Sequence, residues 1–440
     1  MTTTVRILGS RAREQVPGTS ITLLAPGFRG ALTQVAAGVA TAGNYTYDLP
    51  FTDAATGAEV ALAAQLTLNL EARTVTGVPG LRSRSAMVSH PRVIVPRRNG
   101  LAYVLLQTDE TGASSFVLPA SYDETEVVFP LTISAPGATR RVLRVLMWPI
   151  QTVAGPGALA VASRWERMRR PHQLAQCAGK GLWQLPDWKA LESGPVLLLL
   201  HDTFSTPQAT FADWVGDESF ARVLGAFGGR CLAFAHPTVA TGIDENLAWL
   251  AAHLAQIPGP IDIVALGRGG LLARAMAADG RLPLRRVCQL GTPNKGTVLA
   301  TDLRRFLDGH VAMLARTPKV VAQATLEGAL CMMRFAALAR PAPLPGIEAL
   351  QPNMQSLASI PPNTQQWFTV SAQFAKAGGH PGEAPDDFSA TPNDLVVPSD
   401  ACHEPGVPVT DSLRLGGSEV HHHNYFTNRH VRERLESWLR

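Results

Sequence analysis

The 440-residue chain is short of charge, aromatic rings and cysteine. Charged residues make up 17% and aromatics 6%, and the five cysteines (Cys177, Cys231, Cys288, Cys331, Cys402) are odd in number with no Cys-x-x-Cys spacing. A disulfide framework and a zinc ribbon are thereby excluded, and a reducing, cytoplasmic setting is expected. The balance of 39 basic and 35 acidic residues leaves a net charge of +4, with no long basic run. The longest clusters, Arg167-Met168-Arg169-Arg170 and Arg304-Arg305, are too short for a nucleic-acid surface, so no nucleic-acid partner is expected. No uncharged apolar stretch reaches the length of a membrane span, about 18 residues or more, and none is expected. The start, Met1-Thr2-Thr3-Thr4-Val5-Arg6, lacks the basic and apolar regions of a signal peptide.

What is present is apolar material. At 46% hydrophobic residues the chain can bury a large core, and its length calls for two domains. Residues 1–165 read as a β-rich domain. Leu62, Leu66, Leu68 and Leu70 alternate with polar residues in a period of two, the pattern of a half-buried strand. Short apolar runs follow at Val93–Val95, Tyr103–Leu106, Phe116–Leu118, Val127–Phe129 and Val142–Met147. Turn residues at Arg98–Gly100, Glu110–Gly112 and Pro136-Gly137 separate them, and a sandwich or small barrel is expected. No catalytic constellation lies there. The polar stretch 166–190, with Pro171 and Pro186, reads as a connector or a short docking helix.

From 191 to 440 the pattern changes. Val196–Leu200 is a wholly apolar run, and Arg230–Ala235, Ile261–Leu266, Val287–Leu290 and Trp367–Val370 are mostly apolar, as in strands buried on both faces of a parallel sheet. Helical spacing at Leu247, Leu250 and Leu254, and a helix over Leu271–Ala278, alternate with them. This half is expected to be a doubly wound, mostly parallel α/β sheet.

The sharpest signal is the strand–turn–helix from Asp262 to Arg274. Asp-Ile-Val-Ala-Leu-Gly-Arg-Gly-Gly-Leu-Leu-Ala-Arg resembles the elbow of lipase- and esterase-like α/β-hydrolases, where a tight G-x-S-x-G turn lifts the nucleophilic serine above the sheet. In register, Gly267 falls on the serine, Ala265 on the first glycine and Leu266 on the common histidine. Other stretches are similar to the same family in the same order. Leu200-His201-Asp202-Thr203-Phe204-Ser205 resembles the H-G-x-F-S oxyanion loop. Gln289–Gly296 resembles the L-G-T-P turn, and Pro345–Leu357 a segment found after the lid of bacterial lipases. Asn393-Asp394-Leu395-Val396-Val397-Pro398 resembles the loop bearing the triad acid. His421-His422-His423-Asn424-Tyr425-Phe426 resembles the loop bearing the triad histidine. The resemblance implies an α/β-hydrolase sheet with a helical lid over Thr301–Arg340, Asp394 as acid and His422 as triad histidine, with His421 and His423 one residue away in register. It also implies an oxyanion region at Asp202, Thr203 and Arg268. Asp394 has a plainer reading as a turn-capping loop residue, and the 301–340 segment as ordinary core helices.

Two departures bear on activity. Gly267 has no side-chain atom to form an acyl-enzyme, although glycine adopts the elbow backbone readily. Asp202 stands where the family has glycine. Two like charges about 5 Å apart repel by roughly 3 kcal/mol at an effective dielectric near 20, so a carboxylate facing the pocket opposes a developing oxyanion. The expected function is therefore a pseudo-hydrolase that binds a protein partner or an acyl- or ester-type small molecule. The alternative is an active ester or lipid hydrolase recorded as a Ser→Gly variant. Domains resembling this one occur in bacteria beside caspase-like peptidases, which implies an assembly role. No cofactor is expected, and no metal, since the ligand-type residues His422, Asp394, His201 and Cys402-His403 show no zinc spacing.

Overall fold

The computed structural model describes residues 3–9, 12–16, 19–35, 51–53, 58–70, 91–109, 114–131, 139–149, 159, 163, 166–313, 317, 321–322, 324–326, 328–329, 332, 344–352, 365–374, 391–403 and 409–440. The chain divides into two compact units, one built on Met1–Thr152 and one on Val153–Ala377 with Pro385–Arg440.

Among its described residues the first unit is all β. A seven-stranded sheet and a five-stranded sheet are each paired antiparallel throughout. The period-two pattern over 62–70 lies on the strand Ala58–Leu70, where Leu66, Leu68 and Leu70 are buried and Asn69 is exposed. The five apolar runs read from the sequence fall on the strands Arg92–Pro96, Leu101–Asp109, Ser114–Val117, Glu126–Pro130 and Thr139–Pro149. Side chains from both sheets, among them Leu23, Leu66, Val93, Leu105, Phe129 and Leu143, form one hydrophobic cluster. The expected turns at Glu110–Gly112 and Pro136-Gly137 lie outside the described residues.

The second unit carries an eight-stranded sheet. Its strands are β1 (Gln173–Cys177), β2 (Trp183–Gln184), β3 (Val196–Leu200), β4 (Cys231–Ala235), β5 (Ile261–Leu266), β6 (Leu284–Leu290), β7 (Gln366–Phe374) and β8 (Val409–Gly417). Their spatial order is β2-β1-β4-β3-β5-β6-β7-β8. All pairs from β4 to β8 are parallel, and β1 and β2 form an antiparallel hairpin on the β4 edge. Helices α1 (Glu218–Ala226), α2 (Ile243–Leu254), α3 (Arg268–Asp279), α4 (Leu303–Val311) and α5 (Arg429–Leu439) connect or follow the strands. Strands β3 and β5 are buried at every position, which accounts for the apolar sequence of β3 and of nearly all of β5. One charge interrupts β5: Asp262, fully buried, is answered by Arg285 and Arg286 at 2.6 Å each. Phe211, Trp214, Phe220 and the α5 residues Val431, Leu435 and Trp438 belong to the core cluster of this sheet.

One expectation is corrected, one boundary moves, and one strand was not foreseen. The stretch 166–190 is more than a connector or docking helix: between a helical turn at 166–169 and a short helix at Trp188–Leu191 it supplies β1 and β2, hydrogen-bonded to the main sheet. It also buries Glu166, whose carboxylate accepts from the backbone N–H of Thr238, Val239 and Ala240. Its polar residues hid an edge hairpin. Strand β8 had no apolar run to announce it, because an outer strand exposes one side. The helix after β5 begins at Arg268 and runs to Asp279, capped by left-handed Gly280. In the 301–340 segment, Phe306, Leu307 and Val311 of α4 and the neighbouring Val321, Leu326 and Met332 are buried; Cys331 and Met333 lie outside the described residues.

Strand order fixes where a site can form. The chain leaves β3 for β4 on one side and then crosses to β5 on the other, so a crevice opens at the carboxyl ends of β3 and β5. Asp202 follows β3 by two residues and Gly267 follows β5 directly.

Candidate functional site

The bend after β5 is tight. Gly267 has φ 52° and ψ −122°, a conformation that strains any residue with a Cβ. Its N–H donates to Leu290 O at 2.9 Å on β6, which anchors the bend to the sheet. Helix α3 then lies close against β3: an added Cβ on Gly269 would stand 2.7 Å from the Leu200 carbonyl carbon and 2.8 Å from His201 O. The small residue at 269 therefore lets the helix start reach the β3 loop, and Gly270 leaves room for the Thr292 side chain after β6.

Asp202 lies against that bend. Its Oδ1 accepts the backbone N–H of Arg268, the first residue of α3, at 2.8 Å. The helix N-terminus favours this negative charge. Its Oδ2 pairs with His422 Nε2 at 3.0 Å, and His422 Nδ1 pairs with Asp394 Oδ2 at 2.8 Å. A Cβ on Gly267 would overlap the Asp202 carboxylate. Three side chains thus form one chain, Asp202–His422–Asp394, each below 4% exposed.

Asp394 divides its two carboxylate oxygens between its own turn and His422. Oδ1 caps the turn by accepting from Val396 N at 3.1 Å and Val397 N at 2.7 Å, while Oδ2 takes His422 and also the Tyr425 hydroxyl at 2.9 Å. Gly291, in the turn after β6, leaves room for this pair, since a Cβ there would be 2.9 Å from Asp394 Oδ2. Two non-glycine residues with positive φ, Phe204 at 57° and Leu395 at 83°, flank the two carboxylates in sequence, and such strain is commonest where a site holds the backbone in place.

Burial alone lowers an imidazole's pKa, but Asp394 and Asp202 on either side of His422 overcome it and raise the group to about 10. For Asp202, burial works in the opposite direction to the His422 imidazole, which prevails and drives the carboxyl below its usual range.

His422, rather than His421 or His423, faces the carboxylates. His421 packs edge-on against Phe374 at 6.0 Å, and His423 packs at 5.4 Å from the His422 ring. Thr203, the third expected oxyanion-region residue, has a buried hydroxyl with no hydrogen-bond partner. The Arg268 side chain runs away from Asp202, donating to Thr241 O at 2.8 Å and Gly346 O at 3.4 Å.

One residue was missed by sequence reasoning. His310 on α4, 1% exposed, packs on Phe204 and Phe306 and brings Nε2 to 4.0 Å from Asp202 Oδ2. A lone histidine on an apolar helical face gives no signal by itself; the only hint was its i,i+4 spacing from Phe306. The donor atoms of Asp202, His310 and His422 all lie within 4.8 Å of one another. Of the ligand types weighed from sequence, His422 and Asp394 meet at 2.8 Å, whereas His201 Nδ1 is bonded to the Asp202 backbone O and its Nε2 to His236 N, and His403 is bonded to Ser371. A cavity of about 10 Å³ opens between Asp202, Thr203, Gly267, His310 and His422, room for about one water.

Among the described residues no helix is long and apolar enough to cross a membrane. No curated protein matches the chain. Solved structures similar to it include the mature form of a lipase from Bacillus licheniformis, 18% identical over 56% of this chain and 92% of that one, TM-score 0.38. Others are an α/β-hydrolase-fold protein from Nakamurella multipartita, 16% identical over 56% and 93%, TM-score 0.33, and a lipase-esterase related protein from Clostridium acetobutylicum, 11% identical over 61% and 99%, TM-score 0.35. A family described as a domain of unknown function (DUF7379) matches residues 167–440, the β1–β8 unit that carries the Asp202–His422–Asp394 chain, and the protein belongs to that family.

Proposed function

We propose that the α/β unit is a silent relative of the serine hydrolases, in which Asp202 occupies the place of the missing nucleophile. The observation that carries this reading is the position of that one carboxylate. In a serine hydrolase, the histidine Nε2 takes the proton of the nucleophile, and the N–H after the nucleophile stabilises the oxyanion. Here both groups bind Asp202: His422 Nε2 on Oδ2 and Arg268 N on Oδ1. Gly267 contributes no atom, and loss of the nucleophile alone costs on the order of a million-fold in turnover.

The same geometry bears on what the unit binds. The cavity of about 10 Å³ between these site residues is far smaller than a usual small-molecule pocket, which supports a protein partner over an ester-type ligand held at this point. The alternative, an active hydrolase with serine at 267, requires Asp202 to leave the space that a Cβ at 267 would enter.

The test uses EDTA-treated full-length protein, a fluorophosphonate probe and p-nitrophenyl esters. No labelling and background hydrolysis are expected for the protein itself and for Gly267→Ser, whereas Asp202→Gly/Gly267→Ser becomes labelled at 267. Labelling and ester turnover by Gly267→Ser alone would establish the alternative.

A further inference from the structure

Asp202, His310 and His422 come from three separate places, the loop after β3, helix α4 and the loop after β8, and converge on one buried point. We infer that this point is a binding site for a divalent transition-metal ion of the zinc type, held by Asp202 Oδ2, His310 Nε2 and His422 Nε2. The inference goes beyond the silent-hydrolase reading and does not depend on it.

The donor set fits. Two imidazole nitrogens and one carboxylate oxygen suit zinc or its neighbours better than calcium or magnesium, which prefer oxygen. Tetrahedral zinc with bonds of about 2.0–2.1 Å places its ligands about 3.3 Å apart. The structure has 3.0 Å from His422 Nε2 to Asp202 Oδ2 and 4.0 Å from His310 Nε2 to the same oxygen, with all three donors within 4.8 Å. Small side-chain movements close the difference.

The atoms behind the donors fit equally well. A ligating histidine almost always gives its other ring nitrogen to a carboxylate or a backbone carbonyl, which fixes the ring. His422 Nδ1 is on Asp394 Oδ2 at 2.8 Å, and His310 Nδ1 is on Phe306 O at 3.0 Å. Both Nε2 atoms are thereby left facing Asp202.

An independent observation points to a ligand. Among the described residues the buried His310 Nε2 has no hydrogen-bond partner, and burying a polar atom without a partner is costly. The unpartnered hydroxyl of Thr203 lines the same cavity. Charge agrees: Asp202 and Asp394 place two buried carboxylates on a single imidazole, and a divalent cation offsets both. Three protein ligands beside a cavity large enough for one water leave a fourth position for solvent, the pattern of an open zinc site.

The experiment uses the full chain, free of any affinity tag and stripped with EDTA, titrated with CoCl2 and followed by its visible d–d absorption. One equivalent of Co2+ is expected to give a tetrahedral-type spectrum that ZnCl2 abolishes. His310→Ala and His310→Gln should each weaken Co2+ binding by about 100-fold, with the circular dichroism spectrum unchanged in at least the glutamine form. His423→Ala, which alters the neighbouring ring but no donor, should bind as the parent does. Absence of a spectrum overturns the site, and a spectrum that survives both His310 changes overturns it too and marks the histidine tract as an adventitious binder. Because the readout is stoichiometry and spectrum in unlabelled protein, failure here leaves the probe-labelling result unaffected, and the reverse also holds.

Discussion

The Asp202 carboxylate stands where a side chain on Gly267 would have to begin. It is held there from two sides, by Arg268 N at 2.8 Å and by His422 Nε2 at 3.0 Å. A loop residue after β3 has in effect become the occupant of the bend after β5.

It follows that Gly267→Ser is not a simple restoration. The new Cβ meets Asp202, and forcing a buried, paired carboxylate out of place costs on the order of 3 kcal/mol. Thermal denaturation should show Gly267→Ser clearly less stable than the parent. Asp202→Gly/Gly267→Ser should recover part of the loss, since the overlap is then removed.

Asp394 and Tyr425 should differ in a fixed order. Tyr425→Phe removes one hydrogen bond to the Asp394 carboxylate, worth about 1.5 kcal/mol at a charged acceptor. Asp394→Asn places an amide against the donors of His422 and Tyr425 and leaves the imidazole unpaired on that side, at about 3 kcal/mol or more. Chemical denaturation of both variants checks the order; equal losses would mean that Asp394 acts only as a turn cap.

The approach of α3 to β3 predicts a contrast between two glycines. Gly269→Ala must push backbone against backbone at Leu200 and His201 and should cost on the order of 3 kcal/mol. Gly225→Ala, in α1 with nothing within 4 Å of the added carbon, should gain about 0.5 kcal/mol. Urea midpoints of the two variants give opposite signs if the close approach is real.

Acid stability should depend on His236. Burial, and then the neighbouring His201, hold its pKa well below the ordinary value of 6.5. A histidine depressed in the folded state contributes fully above the unfolded pKa. That contribution is lost as pH falls below about 6.5, by up to about 1.4 kcal/mol per pH unit. His236→Leu should therefore flatten the fall in stability between neutral and mildly acid pH, read as the slope of unfolding free energy against pH. An unchanged slope would show that His236 is not buried neutral.

Much of the α/β unit was legible in the chain. Strands β3, β4 and β5 are apolar at nearly every position because both faces are covered, and the glycines at 267, 269 and 270 mark a bend and a close helix. The acid and histidine loops were recognisable by their order. The hairpin β1–β2 and strand β8 were not, because sheet-edge strands carry polar residues that resemble loops. His310 was hidden for another reason: nothing in a helix sequence states which loop its inward face will meet.

The sequence by itself determined that position 267 has no nucleophile and that Asp394 and His422 belong to a resembling site, since those facts are residue identities in a recognisable order. Only the tertiary structure decided where the Asp202 carboxylate points and that His310 joins it. Both depend on the crossover that sets β3 beside β5 and on the packing of α4, contacts between residues far apart in the chain that no local pattern encodes.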